Sequence, residues 1–352
     1  MTASKTRVLV VEDSLTARKH IVEVLSADPT FEVVAEAADG RQAIELCERH
    51  RPDVVSMDMV LPVMSGLAAT EWIMAYCPTP IVVVSASMNR GEVFRTYDAI
   101  AAGAVDVLPK PTGDVASSEW AARLKFVLRI AARIKVVTHP RGRLGAVNAQ
   151  SVAPPQPPPG SPARVVAIGA STGGPSAVRR LLMDLPAGFP VPILLVLHIG
   201  APFDESLADW LDAQTPHRVA FAVDGENLFD GPPRVRMAPG NHHLLVERGK
   251  VRLGSGPERH SCRPSVDVMF ESLATEVGAS AAGVLLTGMG RDGADGLLAI
   301  RRAGGHTIAQ DEATCVIYGM PRAAVEIGAA ASVLSLDAIA PALRRLTGER
   351  RR

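Results

Sequence analysis

Residues 164–175 read RVVAIGASTGGP, and the order of residue types in this stretch decides the fold of the half of the chain around it. Arg164 to Ile168 is a short apolar run rich in valine and isoleucine, which suits a strand buried on both faces. Small residues follow from Gly169 through Ala170, Ser171, Thr172, Gly173 and Gly174, so the chain can turn sharply. Pro175 loses no needed hydrogen bond in a first helical turn, and a helix is predicted over Ser176–Met183. A strand that turns tightly into a helix is the opening unit of a doubly wound parallel sheet.

Working outward, the same alternation recurs. Strands are predicted at Pro192–Leu197, Gly283–Leu286 and His306–Ala309 downstream. Upstream they are predicted at Arg7–Val11, Glu32–Ala35, Val54–Met57, Ile81–Val84 and Val105–Leu108. Helical spacing fills the gaps, as in Leu15–Ser26 and Ala121–Val137. The fold class is therefore α/β, with two doubly wound parallel-sheet domains. Between them, seven of the 27 prolines fall in residues 139–163, and residues 151–163 read SVAPPQPPPGSPA. Such a segment can neither join a sheet nor continue a helix, and it prefers extended polyproline II. The predicted boundaries are a first domain at 1–138, a semi-rigid linker at 139–163 and a second domain at 164–348.

Composition narrows the function. In 352 residues, 47% hydrophobic and 21% charged, there is material for two cores, which excludes wholesale disorder. Lys and Arg total 37 against 37 Asp and Glu, so no global basic field points to nucleic acid. Cys47, Cys77, Cys262 and Cys315 form no CxxC pair, which by spacing is neither a disulfide framework nor a zinc site. The opening MTASKTRVLVVED is too short in apolar residues for a signal peptide, and no stretch approaches the roughly 18 of a membrane span. A cytoplasmic protein without membrane insertion is expected.

Parallel sheets bind ligands beyond the carboxyl ends of their strands, which says where to look. In the first domain those ends carry Glu12 and Asp13, Asp58, Ser85, and Lys110. Clustered carboxylates repel one another unless a cation sits among them, which points to Mg²⁺ on Asp13, Asp58 and a carbonyl just beyond Asp58. Lys110 and Ser85 suit phosphoryl oxygens, and an aspartate so placed can become an acyl phosphate. A lone Asp after a strand is more often a helix cap, so the combination carries the reading.

VLVVEDS, MDMVLP, VVVSAS and GAVDVLPKP together resemble the response-regulator receiver domain over about residues 5–130. The resemblance implies a flavodoxin-like fold and Asp58 as phosphoacceptor. It also implies Mg²⁺ at Glu12, Asp13, Asp58 and the Val60 carbonyl, with Ser85 and Lys110 on the phosphoryl group. One position departs: Val107 stands where receivers usually carry Tyr or Phe as a switch.

In the second domain, Gly169 to Gly173 match G-x-S-x-G, which presents a serine on a strand-to-helix turn. A base is needed, and an acid to orient it. His198 follows the next strand, and LLTGMGRDGADG offers Asp292 in a glycine-rich loop. Alternatives stand beside this triad. GASTGG also resembles a dinucleotide-binding turn; His242, His243 or His260 could be the base; Asp292 or Asp295 could simply cap a helix.

GASTGGP, LHIGAPF, APGNHHLLV, CRPSVDVMF, LLTGMGRDGADG and AQDEATCVIYGMPRAA closely resemble the catalytic domain of the chemotaxis protein-glutamate methylesterases. That resemblance implies a Rossmann-like esterase domain with Ser171, His198 and Asp292 as its triad. The backbone N–H groups of Thr172 and Met289 would be its oxyanion donors. It implies hydrolysis of glutamate γ-methyl esters, and deamidation of glutamine, on methyl-accepting chemotaxis receptors. It further implies a CheA-type histidine kinase as phosphodonor, Mg²⁺ for the receiver, and no cofactor for the esterase. The rim around the base departs, reading Leu197-His198-Ile199-Gly200. Two other functions are weighed: the same esterase in a non-chemotactic pathway, or a non-catalytic nucleotide-binding or scaffold module. The layout also suggests that the receiver occludes the Ser171 crevice until Asp58 is phosphorylated.

Overall fold

The computed structural model describes residues 5–86, 90–110, 118–134, 161–199 and 204–348, in two compact units, 1–148 and 149–352. Residues 139–160 of the predicted linker lie outside the described residues, as do Pro111 and residues 200–203 of the LHIGAPF motif.

The first unit runs β1 (Thr6–Val11), α1 (Leu15–Ser26), β2 (Phe31–Ala37), α2 (Gly40–His50), β3 (Val54–Met57), α3 (Gly66–Tyr76), β4 (Ile81–Ser85), α4 (Arg90–Ala102), β5 (Asp106–Pro109) and α5 (Ser118–Ala131). Its strands lie in the order β2-β1-β3-β4-β5, every pair parallel. Val8 to Val11, Val54, Val55 and Ile81 to Val84 are all buried, as central strands between two helical layers must be. The helices start where a side chain can take up a free N–H: Ser14 accepts from Ala17, Asp39 from Gln42 and Ser65 from Ala68. The helix predicted over Ala121–Val137 starts earlier, at Ser118, and ends at Ala131. There Arg133 and Ile134 donate to carbonyls only three residues back, a tightened last turn.

The second unit runs β6 (Val165–Ala170), α6 (Gly174–Asp184), β7 (Ile193–Leu197), α7 (Asp204–Gln214), β8 (Val219–Phe221), β9 (Val235–Met237), β10 (His243–Glu247), β11 (Lys250–Gly254), α8 (Val266–Glu276), β12 (Ala281–Leu285), α9 (Ala294–Arg302), β13 (His306–Gln310), α10 (Met320–Glu326), β14 (Ser332–Leu334) and α11 (Leu336–Leu346). Seven strands form one parallel sheet in the order β14-β13-β12-β6-β7-β9-β8. β6 lies between β7 on one side and β12 on the other. The chain leaves β6 toward one edge and later returns to its opposite flank, which opens a crevice at the carboxyl end of β6.

β10 and β11 form an antiparallel hairpin apart from this sheet, which the reading of purely parallel strands did not include. Its turn, Arg248-Gly249, has both residues at positive φ, 51° and 74°, the geometry that matches strand twist in a two-residue loop. The three-residue strands β8, β9 and β14 also went unpredicted, being too short to show a period. The helix predicted from Ser176 begins two residues earlier, at Gly174, because Gly173 takes φ 76° as its cap, a conformation free of steric cost only for glycine.

Candidate active site

Strand register brings Ser171 and His198, two of the predicted esterase residues, to one edge of the sheet. Ala170 pairs with Leu197 across β6 and β7, so Ser171 and His198 are the next residues on neighbouring strands. The His198 N–H donates to the Ala170 carbonyl at 3.0 Å, and the Ser171 N–H to the Thr287 carbonyl at 3.0 Å, which ties in the strand end beyond β12. The glycines of the turn are demanded by this crowding. A Cβ on Gly169 would lie 2.3 Å from Val266 Cγ1, and one on Gly288 would lie 2.8 Å from Ser171 Cβ. Ser171 sits half-buried at the opening of α6, where helix N–H groups favour developing negative charge. Among the described residues, neither the Thr172 nor the Met289 N–H has a backbone partner outside a helix or strand.

Asp292 is nearly fully buried, 2% exposed, and its surroundings keep it ionised. Oδ1 accepts from Ser265 Oγ at 2.7 Å and from the Asp267 N–H at 3.2 Å, and Oδ2 accepts from the Val266 N–H at 2.7 Å. It thus caps the N-terminus of α8. Oδ2 also lies 2.9 Å from His198 Nε2, a short contact set off the line of the ring N–H. Burial works against the charge on Asp292, but His198, the Ser265 hydroxyl and the Val266 N–H outweigh it and lower its pKa. Burial likewise opposes charge on His198; the Asp292 carboxylate and the Cys262 sulfur overcome it and raise the imidazole to about 9.

The other ring nitrogen, Nδ1, lies 3.8 Å from Cys262 Sγ rather than on a serine hydroxyl. The Ser171–His198 hydrogen bond of a completed triad is not formed, a link that often tightens only around substrate.

The alternative groups are engaged elsewhere. His243 is buried, with Nε2 3.0 Å from the Pro257 carbonyl and Nδ1 accepting from the Ser265 N–H at 3.2 Å. His242 Nδ1 lies 3.0 Å from the Gly240 carbonyl. His260 Nε2 pairs with Asp267 at 3.1 Å, and Asp295 pairs with Arg291 one turn away at 3.2 Å. Sequence reasoning missed Ser265, Thr287, Gln310 and Cys262. Thr287 Oγ1 donates to the Thr172 carbonyl at 3.0 Å, and its N–H donates to buried Gln310 Oε1 at 2.8 Å. These residues stood inside the quoted motifs, yet only the folded chain shows that they brace the turn and the acid.

In the first unit, the predicted groups meet at the carboxyl ends of β1, β3 and β5. Carboxylate oxygens of Glu12, Asp13 and Asp58 lie within 4.8 Å of one another; Glu12 and Asp58 are buried and Asp13 is exposed. Lys110 Nζ bridges them, 2.7 Å from Glu12 Oε2 and 2.9 Å from Asp58 Oδ2. Asp58 Oδ1 accepts from the Met59 N–H at 2.7 Å and from the Val60 N–H at 3.4 Å. Burial raises the pKa of both Glu12 and Asp58 despite Lys110. Buried Ser85 accepts the Lys110 N–H on its carbonyl at 2.9 Å, and Val107 is buried. Three acids around one pocket fit a hard divalent cation.

Residues 166–343 match the family model of the CheB methylesterases, and residues 8–117 that of the response regulator receiver domain. The protein-glutamate methylesterase/protein-glutamine glutaminase of Nitrosospira multiformis is 43% identical over 347 residues, covering 97% of each chain. A Pseudomonas aeruginosa protein of the same name, numbered 2, is 43% identical over 349 residues with the same coverage. The crystal structure of the Thermotoga maritima CheB methylesterase catalytic domain is 38% identical and covers 52% of this chain and 98% of its own, with a TM-score of 0.50. With a receiver domain preceding its esterase domain, the chain belongs to the CheB methylesterase family.

Proposed function

We propose that this methylesterase hydrolyses glutamate γ-methyl esters, and deamidates glutamine, on methyl-accepting chemotaxis receptors, under the control of phosphorylation at Asp58. The observation that carries the reading is the His198–Asp292 pair, 2.9 Å apart, set in register beside Ser171. His198 takes the Ser171 proton as Oγ attacks the ester carbonyl, and Asp292 holds the imidazole and stabilises its charged form. The oxyanion is met by the Thr172 and Met289 N–H groups. Collapse breaks the C–O bond, and the alkoxide takes the proton from His198 and leaves as methanol. Water, deprotonated by the same imidazole, then cleaves the acyl-enzyme and restores Ser171. A glutamine amide follows the same course and releases ammonia.

In the receiver, Glu12, Asp13, Asp58 and the Val60 carbonyl would hold Mg²⁺, which supplies positive charge against the transferring phosphoryl group. Asp58 is the acceptor, Ser85 and Lys110 bind phosphoryl oxygens, and a CheA-type histidine kinase is the donor. Ser171→Ala tests the esterase reading: methanol release from methylated receptors should fall to background while phosphorylation from a small phosphodonor and Mg²⁺ persists. Near-wild-type release would overturn it. Asp58→Asn should abolish stimulation by the phosphodonor and spare the basal rate.

A further inference from the structure

His198 has two neighbours, one on each ring nitrogen, and the proposed reaction uses only one. Nε2 faces Asp292 at 2.9 Å, while Nδ1 faces Cys262 Sγ at 3.8 Å. Nitrogen, sulfur and carboxylate oxygen all lie within 4.8 Å of one another. Cys262 is half-buried and His198 keeps 15% of its side chain exposed, so solvent ions reach both. The sulfur is held in place by the turn before it: the Arg259 N–H donates to the Cys262 carbonyl, and the Cys262 N–H donates back to the Arg259 carbonyl, at 3.1 and 2.9 Å.

We propose that His198 Nδ1 and Cys262 Sγ form a binding site for a borderline-soft divalent cation of the Zn²⁺ class, and that its occupation switches the esterase off. A tetrahedral zinc with ordinary Zn–N and Zn–S bonds places those two ligand atoms about 3.6 Å apart, close to the 3.8 Å observed. An imidazole ligated through one nitrogen and held by a carboxylate on the other is how zinc-binding histidines are oriented, and Asp292 supplies that carboxylate. Thiolate and imidazole together select Zn²⁺ over Mg²⁺, so the receiver's oxygen pocket and this site take different cations. Binding releases the thiol proton and the proton on His198 Nδ1 to solvent and leaves thiolate–metal and imidazole–metal bonds. Water completes the coordination. The cation then occupies the nitrogen that must receive the Ser171 proton, which links the site to the proposed esterase mechanism.

The test uses the full-length protein with Mg²⁺ saturating. Co²⁺ is titrated as a spectroscopic stand-in for Zn²⁺, and thiolate-to-cobalt absorption is read without substrate. In parallel, methanol release is measured against free Zn²⁺, each variant normalised to its own rate in chelator. One Co²⁺ with a thiolate band is expected in the wild type and in Ser171→Ala, and none of that band in Cys262→Ser. Cys262→Ser should weaken Zn²⁺ inhibition by more than the roughly 10- to 100-fold that follows loss of an outer-shell partner. His260→Gln, which alters the neighbouring His260–Asp267–Asp292 cluster, should keep the band. A wild type without the band, inhibition unchanged in Cys262→Ser, or a band lost only in His260→Gln would overturn the site. Since the band needs no turnover, failure of the esterase reading would leave it visible, and failure of the metal site would leave methanol release intact in chelator.

Discussion

The two sites lie at the same place in two parallel sheets and differ in whether a side-chain cation helps to hold their acids. In the receiver, Lys110 Nζ bridges Glu12 and Asp58 at 2.7 and 2.9 Å, beside single N–H contacts from Ser14 to Glu12 and from Met59 and Val60 to Asp58, and burial raises both pKa values all the same. In the esterase, Asp292 rests on the N–H groups and Ser265 hydroxyl that open α8, and its pKa is lowered. A side-chain cation can be displaced or joined by an incoming ion, whereas backbone N–H groups cannot move away. The first arrangement suits a site whose charge changes. The second suits one that must hold an imidazole still through a reaction.

The strongest test of this contrast is Asp292→Asn. It keeps the shape but loses the charge that orients His198, and kcat should fall by about 10⁴, as for the equivalent change in serine proteases. Phosphorylation of Asp58 should be unaffected, and a loss under tenfold would remove Asp292 from the role.

Lys110→Met probes the receiver's side. Leaving Glu12 and Asp58 buried without their cation should cost about 3 kcal/mol at pH 7, measured by urea unfolding with and without Mg²⁺. Both carboxyls already have raised pKa values, so they protonate readily and the loss should shrink as pH falls; Mg²⁺ should also restore stability. A loss that is independent of both would mean the pocket is not governed by charge.

The pH dependence should separate the sites further. His198 is raised to about 9, so it is protonated at neutral pH and must lose that proton to act as base. In the presence of chelator, kcat/KM for ester hydrolysis should rise about tenfold per pH unit, or roughly 100-fold from pH 6 to 8, before levelling near 9. Receiver phosphorylation should instead be lost on the acid side, as Asp58 takes up a proton. An esterase profile already flat at pH 7 would contradict the strong coupling of His198 to its neighbours.

The smallest effect belongs to Ser265→Ala. It removes a charge-assisted hydrogen bond to Asp292 and the first cap of α8, and should destabilise the esterase unit by about 2 kcal/mol, read as a lower thermal midpoint. The Val266 N–H still holds Oδ2, so activity should survive in part. A fully inactive but folded variant would show that the hydroxyl, rather than the helix end, positions the acid.

The receiver's acids, Ser85 and Lys110 were readable in the sequence, because each stands within two residues of the end of a predicted strand and parallel strands deliver such residues to one edge. Ser171 and His198 were readable for the same reason, and the register of β6 and β7 sets them side by side. The linker's composition and the α/β alternation are likewise local properties of the chain. What only the tertiary structure decided depends on contacts between distant segments. The hairpin of β10 and β11 pairs with itself and stays out of the parallel sheet, a matter of which strands meet rather than of any one strand's length. The resemblance singled out Asp292 and His198; that Asp292 meets His198, while Asp295 meets Arg291, His260 meets Asp267, and His242 and His243 face backbone carbonyls, is a matter of packing. Helix α8 reaches Asp292 from 25 to 27 residues away, and Cys262 reaches His198 from 64 residues away. Hydrophobic periodicity reports which face of an element is buried, not which element lies against it; those separations close only when the sheet is packed.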